Sequence, residues 1–231
     1  MAERERLFLI DGAHTLYRSY HAIQGLATSD GFPSNALYGF VQTLQKVIKD
    51  YAPEYLAVVF DLPSPTFRHR LYPEYKANRP PAPEDLVLQI PWIKKILQAY
   101  RIPCIEREGY EGDDVMGTLA HQAREEGLEA VLVSGDKDLH QLVGDRIKVL
   151  EPRKGVMMGP EEIAAQYGVG PEKLIDLFAL NLLVGSGGVL SSCLRDRRWR
   201  VRAAAAEAIG KLKLQSVAAR LLELLDDPDA F

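Results

Sequence analysis

Three short apolar runs in this sequence are each followed by an aspartate, and this arrangement constrains the possible folds more than any other feature. The runs are residues 7–10, 56–60 and 130–133, and the aspartates are Asp11, Asp61 and Asp136. Short apolar runs bounded by turn residues indicate buried strands, and a further run at 147–150 adds a fourth. Helical patterns separate them, so the chain predicts an α/β fold with a mainly parallel central sheet flanked by helices.

In such a sheet, ligands bind beyond the carboxyl ends of the strands, where these aspartates lie. Two acidic segments, 109–114 and 134–138, add carboxylates at the same edge. Converging carboxylates repel one another, so some must be protonated or a cation must bind. Oxygen ligands without His or Cys beside them suit Mg²⁺ or Mn²⁺. The predicted metal ligands are Asp11, Asp61, Glu111, Asp113, Asp114, Asp136 and Asp138. The alternative for the acids of 109–114 alone is that they stabilise a helix start.

The helical patterns between the strands are amphipathic. Residues 37–48 carry apolar side chains on one face, with Ser34 as the expected cap, and residues 86–97 carry a second such face. Both faces predict ordinary packing against the sheet.

Composition excludes several classes of protein. The 231 residues are 47% hydrophobic and 26% charged, which is typical of a soluble globular chain. The net charge of −4 argues against general attraction to nucleic acid but allows a local basic patch. Two cysteines form no disulfide framework, and the charged N-terminus shows no signal peptide or membrane span. We therefore expect a cytoplasmic protein with no membrane partner.

Residues 63–91 differ in composition from the rest, because they contain half of the fourteen prolines together with basic residues and tyrosines. Proline prevents regular pairing, so this segment predicts a long, partly extended loop beside the acidic site. Basic residues interleaved with tyrosines suit phosphates and stacked bases. The alternative is a solvated basic loop without a specific partner.

The chain changes character near residue 185. Residues 1–184 form the predicted α/β domain, 185–190 a Gly/Ser linker, and 191–231 a helical repeat. Residues 196–201 resemble 227–231 at a spacing of 31 residues, which is typical of helical repeats. Five arginines between 195 and 202 either contact phosphate or form a solvated helix start.

Six segments in order resemble the bacterial 5′→3′ exonuclease domain of DNA polymerase I, within the flap-endonuclease, PIN-like superfamily of 5′ nucleases. They are residues 9–12, 59–61, 67–69, 75–79, 109–114 and 134–139, and the likeness covers residues 7 to about 180. The resemblance implies hydrolysis of DNA phosphodiesters with Mg²⁺ or Mn²⁺, and a basic helical arch at about 63–91. It implies as substrate a DNA with a 5′ flap or a 5′ single-stranded end.

The resemblance also implies residue roles. The seven acids map to the metal site, with Glu111, Asp113, Asp114 and Asp136 on the first cation, Asp11 and Asp61 acting through waters, and Asp138 on the second. The catalytic candidates are Asp11, Asp61, Asp136 and Lys76, and the DNA-binding candidates are Arg18, Arg68, Tyr75, Lys76 and Arg79.

The sequence departs from the family after Leu180, where the family continues with Gly-Asp, Ser-Asp-Asn and a helix-hairpin-helix. No aspartate occurs between Asp176 and Asp196, so two acids of the family's second metal site are absent. The tail instead resembles HEAT-type repeats of the phycobilisome-lyase kind. We therefore expect an impaired 5′ nuclease. The alternatives are a catalytically weakened DNA-binding module and a protein-interaction module that binds a partner through the tail.

Overall fold

The computed structural model describes residues 5–178 of the chain. Residues 5–171 belong to one compact unit. The predicted linker and helical repeat lie outside the described residues, so their boundaries stay predictions.

The centre of the molecule is a six-stranded sheet in the order β3-β2-β1-β4-β5-β6. The strands are β1 (Arg6–Asp11), β2 (Tyr55–Val59), β3 (Cys104–Ile105), β4 (Glu129–Val133), β5 (Ile147–Glu151) and β6 (Val156–Met158). The first five pair in parallel, and β6 pairs antiparallel with β5. The predicted α/β fold with a mainly parallel sheet is confirmed.

The helices precede, connect and follow these strands. They are α1 (Gly12–Ala22), α2 (Asn35–Tyr51), α3 (Phe67–Leu71), α4 (Glu84–Val87), α5 (Ile90–Ala99), α6 (Gly112–Glu125) and α7 (Pro160–Tyr167), with 3₁₀ helices at Lys137–Leu142 and Pro171–Lys173. One expectation was wrong. The single helix predicted over 86–97 is broken between α4 and α5, because Pro91 lacks an N–H and would clash inside a continuous helix. The segment 63–91 combines irregular stretches with α3, α4 and tight turns, which agrees with the partly extended loop that the sequence predicts.

Strands β1 and β4 are buried on both faces, which explains why they read as unbroken apolar runs. Phe8, Leu9 and Ile10 expose at most 1% of their surface, and so do residues 130–133. Helix α2 covers one face of the sheet with Phe40 and Leu44. The site at the sheet edge is therefore held by strands that are buried on both faces.

A buried polar network replaces the helix cap that the sequence predicts at Ser34. The Ser34 hydroxyl points to the carbonyl of Leu26 at 3.5 Å and makes no bond to α2. Instead Gln89, which is fully buried, accepts the Leu37 N–H at 2.9 Å with its Oε1. Its amide donates to the Asn35 side chain at 3.0 Å. The Leu37 N–H, which has no partner inside α2, is thus satisfied by a residue 52 positions away.

Replacing Gln89 with Leu should lower the free energy of unfolding by about 2–6 kcal/mol. The reason is that the Leu37 N–H and the side-chain oxygen of Asn35 would be buried without partners, at roughly 1–3 kcal/mol each. Urea titration of the full chain, followed by circular dichroism, measures the change. The control is Gln98→Leu, at an exposed position of α5, the helix that Gln89 precedes. Equal stabilities of the two variants would contradict the assigned role.

Within the described residues, no helix is both long enough and apolar enough to cross a membrane.

Candidate active site

The register of the sheet brings the carboxyl ends of β1, β2 and β4 side by side. Asp11 closes β1 and pairs with Val59 of β2, while the preceding Ile10 pairs with Val133 of β4. The residues that follow these two neighbouring strands therefore emerge next to Asp11. This is where the aspartates of the sequence pattern were expected to meet.

Asp11 is held by hydrogen bonds from two elements. It caps α1 by accepting the backbone N–H of His14 at 2.9 Å, and it accepts the Ser134 hydroxyl at 2.9 Å. Ser134 in turn accepts the backbone N–H of Asp136 at 3.0 Å, so one buried hydroxyl joins the ends of β1 and β4. The sequence motifs described above give Ser134 no role of its own. Its position could have indicated one, because Ser134 is a small polar residue directly after a buried strand.

Asp61 and Gly112 tie the end of β2 to the start of α6. The Asp61 carboxylate accepts the Gly112 N–H at 2.6 Å, and Glu111 caps the helix. The ring of Phe60, the residue before Asp61, packs directly against Gly12. This packing requires glycine at position 12, because a Cβ there would lie 2.6 Å from the ring. Any side chain at Gly12 would push Phe60 away and disturb the neighbouring Asp61.

The pKa shifts of the aspartates indicate that they lie close to one another. Burial, followed by the negative charges of Asp11, Asp136, Asp61 and Asp138, raises the pKa of Asp113 to about 7. By surface area Asp113 remains an exposed residue, so the crowding of carboxylates matters more here than a dry interior. Burial also raises the pKa of Asp11 and that of Asp138. The cluster therefore holds more negative charge than it can carry without a proton or a cation.

The donor set fits a hard divalent cation. Every donor is a carboxylate oxygen, and Mg²⁺ is bound through one or two carboxylates while it keeps several waters. Among residues 5–178, no group of three or more acidic, His or Cys side chains is already arranged as a coordination cage. The carboxylates lie near one another without surrounding a single point. Which of them ligate a metal stays a prediction.

Residues 63–91, which we call the basic segment, contact two of the acids directly. Arg68 forms a bidentate pair with Asp114 at 2.6 and 2.8 Å. Lys76 Nζ lies 2.7 Å from Glu111, and the Tyr75 hydroxyl donates to Glu111 at 3.1 Å. From the sequence, a metal is the expected partner of these acids, and DNA is the expected partner of these basic and tyrosine side chains. The structure pairs the two sets with each other.

These pairs shift the ionisation of their members. The bond from Arg68 lowers the pKa of Asp114 and raises that of Arg68 itself. Burial acts to lower the pKa of Lys76, but the bond to Glu111 raises it overall. All three groups are therefore charged at neutral pH, and each contact is a charge-assisted hydrogen bond.

His69 is a supporting residue that sequence reasoning left without a role. Its ring accepts the Thr66 N–H at 3.1 Å and thereby closes the start of α3. It also packs edge-on against Tyr75, with ring centroids 5.4 Å apart. The helix start and the Tyr75 ring are fixed by the same imidazole.

The other two DNA-binding candidates lie apart from these pairs. Arg18 donates to Glu151 at 3.2 Å and lies beside Gly135 of the acidic segment 134–138. Arg79 makes no side-chain hydrogen bond or ion pair within residues 5–178. The structure thus places Arg18 on the sheet side of the site and Arg79 in the basic segment.

The raised pKa of Asp113 predicts a pH dependence of stability. Between about pH 4 and pH 7 the folded protein keeps a proton on Asp113 that the unfolded chain releases, since the ordinary value is 3.8. This contribution stabilises the folded state at the acid end and is lost as the pH rises through 7. In metal-free buffer, Asp113→Asn should gain thermal stability relative to wild type as the pH rises from 4 to 8.

The control for this measurement is Asp145→Asn, at a side chain that is 92% exposed. Its difference from wild type should stay constant over the same pH range. A constant difference for Asp113→Asn as well would show that the carboxylates do not interact.

Comparison with known protein families agrees with this geometry. Residues 6–168 match the model of the 5′-3′ exonuclease, N-terminal resolvase-like domain, and residues 188–231 match a model of HEAT repeats. A 5′-3′ exonuclease of Aquifex aeolicus is 44% identical over 174 residues, which are 75% of this chain and 60% of that protein. The thermostable DNA polymerase I of Thermus thermophilus is 43% identical over 175 residues, 76% of this chain and 21% of the polymerase. The chain thus covers less than two thirds of either relative.

A solved structure shares the fold. The bacteriophage T5 D15 flap endonuclease, in a complex with DNA and metal ions, superposes with a TM-score of 0.60 at 20% identity, covering 76% of this chain and 66% of that one. At this identity the likeness concerns the fold alone.

Proposed function

The chain belongs to the family of 5′-3′ exonuclease N-terminal resolvase-like domains, and on that premise we propose that it hydrolyses DNA phosphodiesters at 5′ flaps or 5′ single-stranded ends with a divalent metal. The proposal names Mg²⁺ or Mn²⁺ as the metal. One observation carries it: carboxylates from the ends of three strands converge beside cations of the basic segment. Both the family's 5′-3′ exonucleases and this arrangement support a nuclease.

The acids divide into two groups by their surroundings. The first group, which we call the acid cluster, contains our candidates to hold the metal: Asp11, Asp61, Asp113, Asp136 and Asp138. When bound, a divalent ion would activate water and stabilise the leaving oxygen. Glu111 and Asp114 are held by the basic segment and are candidates for the same ion once that segment engages phosphate.

The chain's own residues orient the reactants. Ser134 fixes the Asp11 carboxylate, and the N–H of Gly112 fixes that of Asp61, so neither can rotate freely. Arg68, Lys76 and Arg79 supply the positive charge that holds a phosphate, and Tyr75 offers a ring for stacking. Lys76 is the basic-segment residue that we propose as catalytic, because it reaches the acid cluster through Glu111.

Asp136→Asn tests this function. Asparagine keeps the short polar side chain that caps the 3₁₀ helix but removes the charge, so folding should be retained. Cleavage of a 5′-flap DNA with Mg²⁺ or Mn²⁺ should fall by more than about a hundredfold, since changes to residues that merely support metal ligands already cost 10–100-fold. Asp145→Asn is the control and should cleave like wild type. A wild-type chain that cleaves equally well in excess chelator would contradict the proposal.

A second candidate function is a DNA-binding module with weakened catalysis. The absence of aspartate from residues 177–195 favours it, because two acids of the family's second metal site are missing. Mg²⁺ gives up its hydration shell reluctantly, so a site with few carboxylates should hold it only together with substrate phosphate. We therefore propose that the chain cleaves more slowly than a complete family member.

Inserting a Gly-Asp-x-Ser-Asp-Asn segment after Leu180 should restore the missing acids. We expect the Mg²⁺-dependent cleavage rate to rise by orders of magnitude and the Mg²⁺ requirement to fall, because added carboxylates increase the field that attracts the ion. The control insertion carries Asn in place of both aspartates. If the unmodified chain cleaves a 5′ flap as fast as a complete homologue at the same Mg²⁺ concentration, the weakened-site account is wrong.

A further inference from the structure

A basic groove lies outside the acid cluster, between α1, α2 and the turn that joins β5 to β6. Its volume is about 560 Å³. The charged side chains that line it are Arg18, Lys46, Lys49, Arg153 and Asp50. Four of these are cations and one is a carboxylate, in a chain whose net charge is −4. We call it the α1–α2 groove.

Two of the cations in the α1–α2 groove have no internal partner. The side chains of Lys49 and Arg153 form no hydrogen bond or ion pair within residues 5–178. Lys46 gives one bond to the Pro152 carbonyl at 3.0 Å, which leaves two of its three N–H donors free. Lys46 and Lys49 lie one turn apart on α2, where like charges destabilise a helix by a few tenths of a kcal/mol. An anion in the groove would remove that repulsion.

The floor of the groove adds two buried polar atoms that lack partners. Thr15 is 5% exposed and lines the groove, and its hydroxyl makes no hydrogen bond. The Nε2 atom of His14, in the same lining, is buried and equally unpaired. An unpaired buried polar group costs about 1–3 kcal/mol, and a ligand oxygen or a water that it orders would supply the partner. The groove thus has both charge and hydrogen-bonding capacity for an oxyanion.

The α1–α2 groove continues towards the acid cluster. His14 and Arg18 also line a second groove of about 520 Å³, which includes Lys137, Lys154 and Gly135. Glu151 lines the same groove and forms ion pairs with Arg18 and Lys154, so among the described residues Lys137 is the cation there that keeps its full charge towards a ligand. Gly135 lies so close to His14 that a Cβ there would be 2.9 Å from its Nε2. Since Asp136 follows Gly135, the cations form a path that begins at the acids and ends at Lys49. The basic segment contacts α6 instead, so the two sets of cations are separate.

We propose that the α1–α2 groove binds the sugar-phosphate backbone of the DNA strand as it leaves the acid cluster, through Lys46, Lys49 and Arg153. The inference rests on the proposed function only in taking a nucleic acid as the substrate. Lysine and arginine contacts to phosphate position a strand without reading its sequence, which suits a nuclease that selects structure. The groove extends the contact beyond the nucleotides at the acids.

Binding of two oligothymidylates to the full chain tests this inference, with Ca²⁺ in place of Mg²⁺ to prevent cleavage. One has about four nucleotides and reaches only the acids, and the other has about twenty. Lys46→Gln with Lys49→Gln should flatten the salt dependence of binding for the long strand by about 1.4, at roughly 0.7 per neutralised phosphate. Binding of the short strand should be unchanged.

Two further double variants serve as references. Lys95→Gln with Arg124→Gln removes the same charge from exposed positions on α5 and α6 that do not line the groove, and should leave both strands unaffected. Lys76→Gln with Arg79→Gln removes charge from the basic segment and should weaken both. Circular dichroism confirms that each variant is folded.

A salt slope for the long strand that stays at the wild-type value in the Lys46/Lys49 variant overturns the inference. An equal change in the Lys95/Arg124 variant overturns it too, because the effect would then reflect net charge. Wild type that binds neither strand also overturns it. The test separates this inference from the proposed function. If wild type cleaves the flap but the Lys46/Lys49 variant keeps the wild-type salt slope, only the groove proposal is rejected. If the variant flattens the slope but wild type does not cleave, only the proposed nuclease activity is rejected.

Discussion

The mutual repulsion of carboxylates at one edge of the sheet is the constraint to which the rest of the site responds. The parallel register forces Asp11 and its neighbours together, and burial together with their negative charges raises the pKa of Asp113. Backbone N–H groups offset part of the charge, since those of His14, Gly112 and Asp138 each donate to an aspartate. The guanidinium of Arg68 and the ammonium of Lys76, both from the basic segment, offset more of the negative charge at this edge of the sheet. What remains is the residual field that would draw in a divalent ion.

Much of the fold could be predicted from the sequence because its central strands are buried on both faces and contain almost no polar residue. The elements that were missed are those whose cause is not local. Strands β3 and β6 have two and three residues, too few to show a periodicity. The cap of α2 comes from Gln89, and no rule on neighbouring residues could have identified it in place of Ser34. The break before α5 has a local cause, because Pro91 cannot continue a helix and overrides the amphipathic pattern of 86–97.

The site, like the fold, has parts that could be predicted from the sequence and parts that could not. The acids were predictable because strand ends determine where they emerge, and five of them do influence one another. The pairing of Arg68 with Asp114 and of Lys76 with Glu111 was not, since the partners are 46 and 35 residues apart. A sequence pattern assigns chemistry to a residue type but does not tell which opposite charge it meets. The α1–α2 groove is a similar case, because three separate segments supply its cations.

The pairing of the basic segment with α6 has a consequence for how two ligands would affect each other. A phosphate that took over Arg68 and Lys76 would leave Asp114 and Glu111 without counter-charge, and these carboxylates would then attract a cation. Strand and ion would each increase the affinity for the other, and thermodynamic linkage requires the two factors to be equal. The chain would in this way act as an ion exchanger with an internal counterion, in which neither partner is held tightly until both are present.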